Sequence, residues 1–293
     1  MIRTACLSAA LALSLAGCAK TTAEPDETVP PAASVAGGDE TPVQPAAAIP
    51  DPHEVSVADL PRAISVDSDT VKADITFAEP IFGYAPAMAM DVVEDARIRL
   101  AATQEDAAAY KEADPDYFRP YVLRIDWRLT GAGGGLAGLE GFQYADTGGA
   151  HGNYFTDGRI YDTLTGDQLR LKDLFEDPAA ANAALEGPVF RALETEKALR
   201  TGDTSNLDML LGEAKDAIGG DILGVDASLV ASVEAGKIGG LALHFAPYDI
   251  GSYAEGAYHV TIPQEAFAAL LKPHYAGAFG GEPAPLKRPD DPV

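Results

Sequence analysis

The chain has 293 residues, with 45 acidic and 21 basic side chains and a formal net charge of −24 at pH 7. Such an acidic chain is a poor partner for nucleic acid, because binding a phosphate backbone requires a basic surface. Both cysteines, Cys6 and Cys18, lie near the N-terminus. The rest of the chain therefore has no disulfide and no cysteine-ligated metal.

Residues 1–17 have the pattern of a secretory signal, with a positively charged start and an apolar run from Ala5 to Leu15. That run is too short to cross a bilayer as a mature helix. The Leu-Ala-Gly-Cys that ends at Cys18 resembles the lipobox of bacterial lipoproteins. The resemblance implies removal of residues 1–17, lipid on the Cys18 sulfur and an acyl chain such as palmitate on its amine. An ordinary signal peptide with a chance cysteine is the alternative.

Lipidation of Cys18 predicts a protein anchored at the cell envelope, since several acyl chains on one residue give stable membrane binding. Ala19, rather than Asp, follows the cysteine. This resembles the sorting pattern of the outer membrane, facing the periplasm, if the host is Gram-negative. Residues 18–55 are rich in Ala, Pro, Thr and acidic residues and are too polar to fold. We expect a disordered tether of about 30 Å that lifts the domain off the membrane.

Residues 56–279 are predicted to form a single α+β domain, with an N-terminal part to about residue 155 and a C-terminal part from about 156 to 279. Apolar residues alternate from Ile64 to Phe77 around a turn at residues 67–69, which predicts a hairpin. Met88 to Tyr110 has helical spacing. Its predicted buried stripe comprises Val92, Ala96, Leu100 and Ala107.

Tyr121 to Thr130 has the clearest strand pattern of the chain, and Trp127 on its apolar face is predicted to belong to the core. A glycine turn at residues 131–135 leads to a second strand from Leu136 to Tyr144. The turn lacks the Lys-Ser/Thr of a P-loop, so it does not predict phosphate binding.

The C-terminal part begins with a predicted hairpin between Arg159 and Leu171. Proline and glycine set several of the later boundaries. The remaining predicted elements are a helical turn at 172–175, a helix at 178–199 divided by Gly187-Pro188, a short helix at 207–218, strands at 238–245 and 257–262, a helix at 264–271 opened by Pro263, and a polar, frayed tail at 280–293.

Two loops have the composition of a binding site. Residues 148–153 read Gly-Gly-Ala-His-Gly-Asn between aromatic residues, and glycine allows close backbone approach and positive φ. Residues 247–253 form a second loop, rich in tyrosine. Aromatic rings on loops stack on sugars or anchor protein partners. The candidate binding residues are His151, Asn153, Tyr154, Tyr248, Asp249 and Tyr253. A purely structural role, in which His151 bonds backbone carbonyls, is the alternative.

Together with the motifs around them, the two loops resemble the PdaC/RsiV-like domain of bacterial envelope proteins. This family is classed as a domain of unknown function. The resemblance rests on the order of several short motifs and extends from about Ile64 to Leu271. The motifs are residues 148–153 and Phe155, Tyr161-Asp162, Thr165-Gly166, Leu169 and Leu171, Asp173-Leu174-Phe175, residues 245–256 (FAPYDIGSYAEG), Val260 and Ile262-Pro263.

The family resemblance implies an α+β fold with an antiparallel sheet packed by helices, located outside the cytoplasm and often attached to a membrane anchor. One similar domain is the sensor part of an anti-sigma factor that binds lysozyme, and another accompanies a polysaccharide deacetylase domain. The present chain has no such second domain and no His-x-x-x-His metal pair. The deacetylase activity is therefore not carried over.

The residues themselves do not indicate a catalytic chemistry. Gly-x-Ser-x-Gly is absent, and the histidine spacing does not match a zinc site. We expect no metal and no cofactor. A site shared by His151 and His259 is conceivable but has no support from ligand spacing, and His244 is expected to face solvent from its strand.

We therefore expect a non-enzymatic binding domain at the cell envelope, whose partner is a cationic, lysozyme-like protein or a cell-wall glycan. The acidity of the chain favours a cationic partner. A peptidoglycan-acting hydrolase with His151 as general base or metal ligand is the first alternative. A structural accessory lipoprotein is the second.

Overall fold

The fold is taken from a computed structural model that describes residues 56–202, 204–286 and 288. The predicted signal, Cys18 and the tether lie outside this range. Within it, nine strands form two sheets, and four α-helices accompany them. The predicted α+β class is confirmed. None of the helices in this range is long and apolar enough to cross a bilayer.

The first sheet has six strands that follow one another in chain order. Neighbouring strands are antiparallel except for β2 and β3, which are parallel. The parallel pair arises because a 28-residue helix, α1 (Pro86–Ala113), returns the chain to the same end of the sheet. The strands are β1 (Ala63–Asp67), β2 (Val71–Phe77), β3 (Tyr121–Gly133), β4 (Leu136–Asp146), β5 (Asn153–Asp162) and β6 (Gln168–Leu169).

The second sheet is antiparallel, and its three strands also follow chain order. They are β7 (Asp226–Ala231), β8 (Ile238–Phe245) and β9 (Tyr258–Pro263). The long helix α2 (Pro178–Thr201) packs on β9, and α3 (Leu207–Ile218) packs on α2. A one-turn helix, α4 (Pro273–Ala276), follows. Strand β7 is absent from the sequence prediction.

Helix α1 covers one face of the first sheet. Its four predicted stripe residues are all buried, and Trp127 beneath it is fully inaccessible, so the predicted core is confirmed here. Arg159 of β5 connects the helix to the sheet, because its guanidinium lies 3.0 Å from Asp91 and 3.2 Å from Asp95. The same guanidinium lies 4.6 Å from the centroid of the Trp127 ring.

Glycines on β3, β4 and β5 allow the second sheet to cross the first. A Cβ on Gly131 would lie 2.7 Å from the backbone nitrogen of Ala231, and one on Gly158 would lie 2.6 Å from the Ala227 carbonyl carbon. Real Cβ atoms do not approach so closely. Strand β7 therefore packs backbone to backbone across a surface that only glycine leaves open.

Helix α2 is continuous, so the predicted division at Gly187-Pro188 is wrong. Proline removes one helical hydrogen bond. The residues on either side of it, Leu185 and Val189, are fully buried together with Leu193. Burial of this apolar face offsets the missing bond and holds the helix together.

Two further predictions are wrong near the C-terminus. The predicted helix at 264–271 consists of two 3₁₀ turns, Gln264–Ala266 and Ala268–Leu270, and Pro263 ends β9 instead of opening a helix. The tail is not frayed over its described part. The Val233 amide donates to the Glu282 carbonyl over 2.9 Å, and the Arg288 side chain is only 5% exposed.

Candidate functional site

The first loop, defined here as residues 147–152, joins β4 to β5 and is shaped by its glycines. Gly148 has a φ of 84° and its amide donates to the Asp146 carboxylate over 2.8 Å. Gly152 is buried, and a Cβ there would lie 2.5 Å from the Tyr144 ring. Glycine at this position therefore lets the backbone pass directly against the tyrosine.

The second loop, defined here as residues 246–257, joins β8 to β9. Its turn is closed by Asp249, whose carboxylate accepts the Ala246 amide over 2.7 Å. Tyr248 has a φ of 78°, the only positive φ outside glycine among the described residues. The residue is nevertheless 62% exposed. A bulky residue held in this strained conformation, with its side chain in solvent, is typical of a functional position.

The two loops meet through aromatic stacking. The His151 ring stacks on Tyr253 with 4.0 Å between centroids and 27° between planes. Tyr248 lies 5.5 Å from the Tyr253 ring on one side, and Tyr154 lies 6.2 Å away edge-on. The Tyr253 hydroxyl donates to the Gly152 carbonyl over 2.7 Å. We call His151, Tyr154, Tyr248 and Tyr253 the aromatic surface.

The chemistry of this surface is stacking and hydrogen bonding. Partial burial raises the pKa of Tyr253, and the neighbouring Tyr154, Tyr144 and Tyr248 raise it further, so the phenol stays a neutral donor. The Nδ1 atom of His151 lies 3.0 Å from the Gly152 carbonyl, which makes it a hydrogen-bond donor there. No group of three metal-ligating side chains occurs among the described residues.

The structure brings most of the predicted binding residues together. Four of the six form the aromatic surface, Asn153 is exposed at the start of β5, and Asp249 closes the second loop. The structural alternative for His151 is also present, since its ring contacts a backbone carbonyl. The conceivable His151–His259 site is not formed. His259 instead pairs with His244, with 2.9 Å between their Nδ1 atoms.

His244 is buried, with 4% exposure, so the expectation that it faces solvent is wrong. All eight residues of β8 are buried because the strand is covered on both faces. Alternation along such a strand does not distinguish an outer face. His244 belongs to a group that sequence reasoning missed and that we call the buried polar cluster: Arg128, Glu140, Ser228, His244, His259 and Arg288.

Glu140 lies at the centre of this cluster and its side chain is 1% exposed. It accepts from Arg288 over 2.7 and 3.1 Å, from Arg128 over 2.9 Å and from Ser228 over 2.9 Å. Burial alone would raise the pKa of this carboxyl. The charges of His244, Arg288 and Arg128 overcome that effect and lower the pKa to about 2. The carboxylate is therefore ionised at every ordinary pH.

Two recesses flank the segment from Asp221 to Asp226; the larger is bordered by α2 and the smaller by α3. One has a volume of about 700 Å³ and the other about 400 Å³, within or near the range of ligand pockets. Asp226 borders both. Crowding by protein atoms raises its pKa to about 6, the Gly158 amide opposes this rise and the nearby Asp157 adds to it. Asp249 and Ile250 connect the smaller recess to the second loop.

Comparison with known proteins finds a local similarity to one family and gives no activity. Residues 235–265 match a family described as a protein of unknown function (DUF3298). A DUF3298 structure from Bacteroides fragilis NCTC 9343 is similar at 17% identity and a TM-score of 0.47, covering 74% of this chain and 95% of that chain. One from Pseudomonas aeruginosa PAO1 has 17% identity and a TM-score of 0.45, covering 72% and 88%. No curated protein matches. The chain is thus similar to DUF3298 over β8, the second loop and β9.

Proposed function

We propose that the protein is a non-enzymatic binding domain of the cell envelope and that the aromatic surface contacts its partner. The observation that supports this most is the stacking of His151 on Tyr253, next to the exposed Tyr248. Tyrosines held in place before binding lose little conformational entropy and are frequent in binding hot spots.

The partner favoured by charge is a cationic, lysozyme-like protein. The chain has a formal net charge of −24, and Asp249 and Asp146 lie in or beside the two loops. Opposite charge accelerates encounter and selects partners. A cell-wall glycan is the second ligand class, because tyrosine rings also stack on sugars. The same experiment distinguishes the two.

The test is retention of hen egg-white lysozyme or purified peptidoglycan fragments on the immobilised chain, at low and at physiological salt. We expect lysozyme to be retained, and Tyr248→Ala or His151→Ala to weaken its binding about tenfold or more. Tyr117→Ala is the matched control, since Tyr117 is 77% exposed but lies on a turn after α1. Equal losses in all three variants would contradict the assignment of the surface.

Retention of glycan alone would change the partner and leave the surface in place. Cleavage of the fragments that is lost in His151→Ala would replace the proposal with the hydrolase alternative. Retention of neither ligand, with the chain folded, would leave the structural accessory role.

We also propose that the domain is PdaC/RsiV-like and lipid-anchored through Cys18. Support comes from the order of the loop motifs, the DUF3298 match at residues 235–265 and the Leu-Ala-Gly-Cys sequence. Mass spectrometry of the N-terminal peptide from membranes should show acylated Cys18, and Cys18→Ser should release the chain from the outer-membrane fraction. An unmodified cysteine on a secreted chain would refute the anchor.

A further inference from the structure

A fully buried ammonium lies beneath the second loop. Lys197 of α2 has 0% exposure. Its Nζ donates to the Ile250 carbonyl over 2.6 Å and to the Glu255 carboxylate over 3.1 Å, and lies 4.8 Å from the centroid of the Tyr258 ring. A lysine is almost never fully buried, because removing its charge from water is costly. The site must therefore compensate this charge closely.

The partners of Lys197 hold the second loop on both sides of Tyr253. Ile250 is 4% exposed and immediately follows the turn that contains Tyr248. Glu255 accepts the Ser252 amide over 2.7 Å and the Tyr258 hydroxyl over 2.6 Å, and so fixes the backbone around Tyr253. Lys197 thus connects the segments on both sides of Tyr253 to one atom of α2.

The negative charge of Glu255 is favoured by its hydrogen bonds. Burial opposes ionisation of Glu255, but the bonds from Tyr258, Ser252 and Lys197 lower its pKa to about 2. One turn further along α2, Arg200 donates to the Glu255 carbonyl over 3.0 Å and to the Ala257 carbonyl. Two cations of one helix therefore bind the C-terminal half of the loop through backbone and side-chain acceptors.

We infer that Lys197 is the positioning residue of the aromatic surface and that it sets the pose in which Tyr248 and Tyr253 meet the partner. This rests on the proposed function of that surface. Tyr248 keeps a strained backbone conformation, which persists only where its surroundings fix it. Lys197 provides that constraint from below, on the side opposite the partner, without touching the partner itself.

The test compares Lys197→Met with the double variant Lys197→Met/Glu255→Gln. Methionine keeps an unbranched stem but removes the ammonium, leaving the partly buried Glu255 carboxylate without this cation. The added Glu255→Gln removes that charge and is expected to restore the melting temperature. It does not restore the link to the Ile250 carbonyl. Lys215→Met is the control, because Lys215 is an exposed lysine that lies 5.1 Å from the Phe190 ring.

We expect exchange of the Ser252, Glu255 and Gly256 amides to accelerate about tenfold or more in both Lys197 variants. Lysozyme affinity should fall about tenfold in both variants, even though the melting temperature of the double variant is restored. Affinity that recovers together with the melting temperature would reduce Lys197 to a stabilising residue and overturn the inference. Unchanged exchange would do the same. Exchange needs no ligand, so it tests Lys197 even if the wild-type chain retains no partner.

Discussion

Glu140 shows how one ionised residue determines the stability of the region between the sheets. Its carboxylate faces two arginines and is 1% exposed. We expect Glu140→Gln to lower the free energy of unfolding by about 3 kcal/mol, because the buried guanidinium of Arg288 and the partly buried one of Arg128 then lose their counter-charge. Urea unfolding followed by circular dichroism measures this loss.

Arg288→Met in the Glu140→Gln background is the matched control. The added change removes one of the uncompensated charges, so the double variant should be more stable than Glu140→Gln alone. If the double variant instead loses as much stability as Glu140→Gln and Arg288→Met lose in sum, Glu140 and Arg288 are not coupled in solution.

The same carboxylate predicts a pH dependence of stability. Its pKa in the folded state is about 2 against an ordinary value of 4.5, so the folded state binds its proton less readily. Its contribution is complete above about pH 5 and is lost as pH falls towards about 2, with a total of about 3 kcal/mol. Urea titrations across this range should show a shallower decline in Glu140→Gln. An unchanged slope would contradict the assignment.

Strand β7 crosses the first sheet at glycines, where there is room for a hydrogen atom but not for a Cβ. We expect Gly131→Ala to destabilise the protein by about 2 kcal/mol, since a Cβ there overlaps the β7 backbone. Gly212→Ala is the control. Gly212 lies in α3 with nothing within 4 Å of a Cβ, and alanine should stabilise that helix by about 1 kcal/mol. Thermal unfolding distinguishes opposite signs.

Elements with one buried face are predictable from this sequence. The pattern of Val92, Ala96, Leu100 and Ala107 identified α1, and the alternation around Trp127 identified β3. Strands buried on both faces lack such a pattern. Four successive residues of β7, from Ala227 to Val230, are buried, and Ser228 is among them, so neither period nor polarity marks the strand. For the same reason, the prediction that His244 of β8 faces solvent was wrong.

The sequence identified the two loops of the candidate site but not the lysine that holds the second loop. Glycine, histidine and tyrosine mark the two loops in the sequence, and the structure stacks His151 on Tyr253. Lys197 gave no signal, because a lysine in a helix is ordinarily solvated. Its burial depends on a carboxylate 58 residues away. Only the tertiary fold creates that environment.

At the scale of the whole molecule, the net charge of −24 predicts salt-dependent recognition. Raising the salt from about 50 to about 500 mM shortens the range of electrostatic attraction severalfold. We expect the association rate with lysozyme to fall about tenfold or more, while the dissociation rate changes less. Surface plasmon resonance separates the two rates. An association rate independent of salt would leave stacking alone to explain selectivity.

The C-terminal tail makes a contact with a strand far away in the sequence. Arg288 contacts Glu140 across a separation of 148 residues, and Glu140 lies in the second-longest strand of the first sheet. During synthesis, the residues of β4 therefore leave the ribosome long before Arg288, which carries the opposite charge. A premature stop or a protease cut just before Arg288 would remove only residues 288–293. It would nevertheless leave the buried Glu140 carboxylate between the two sheets without one of its two arginines.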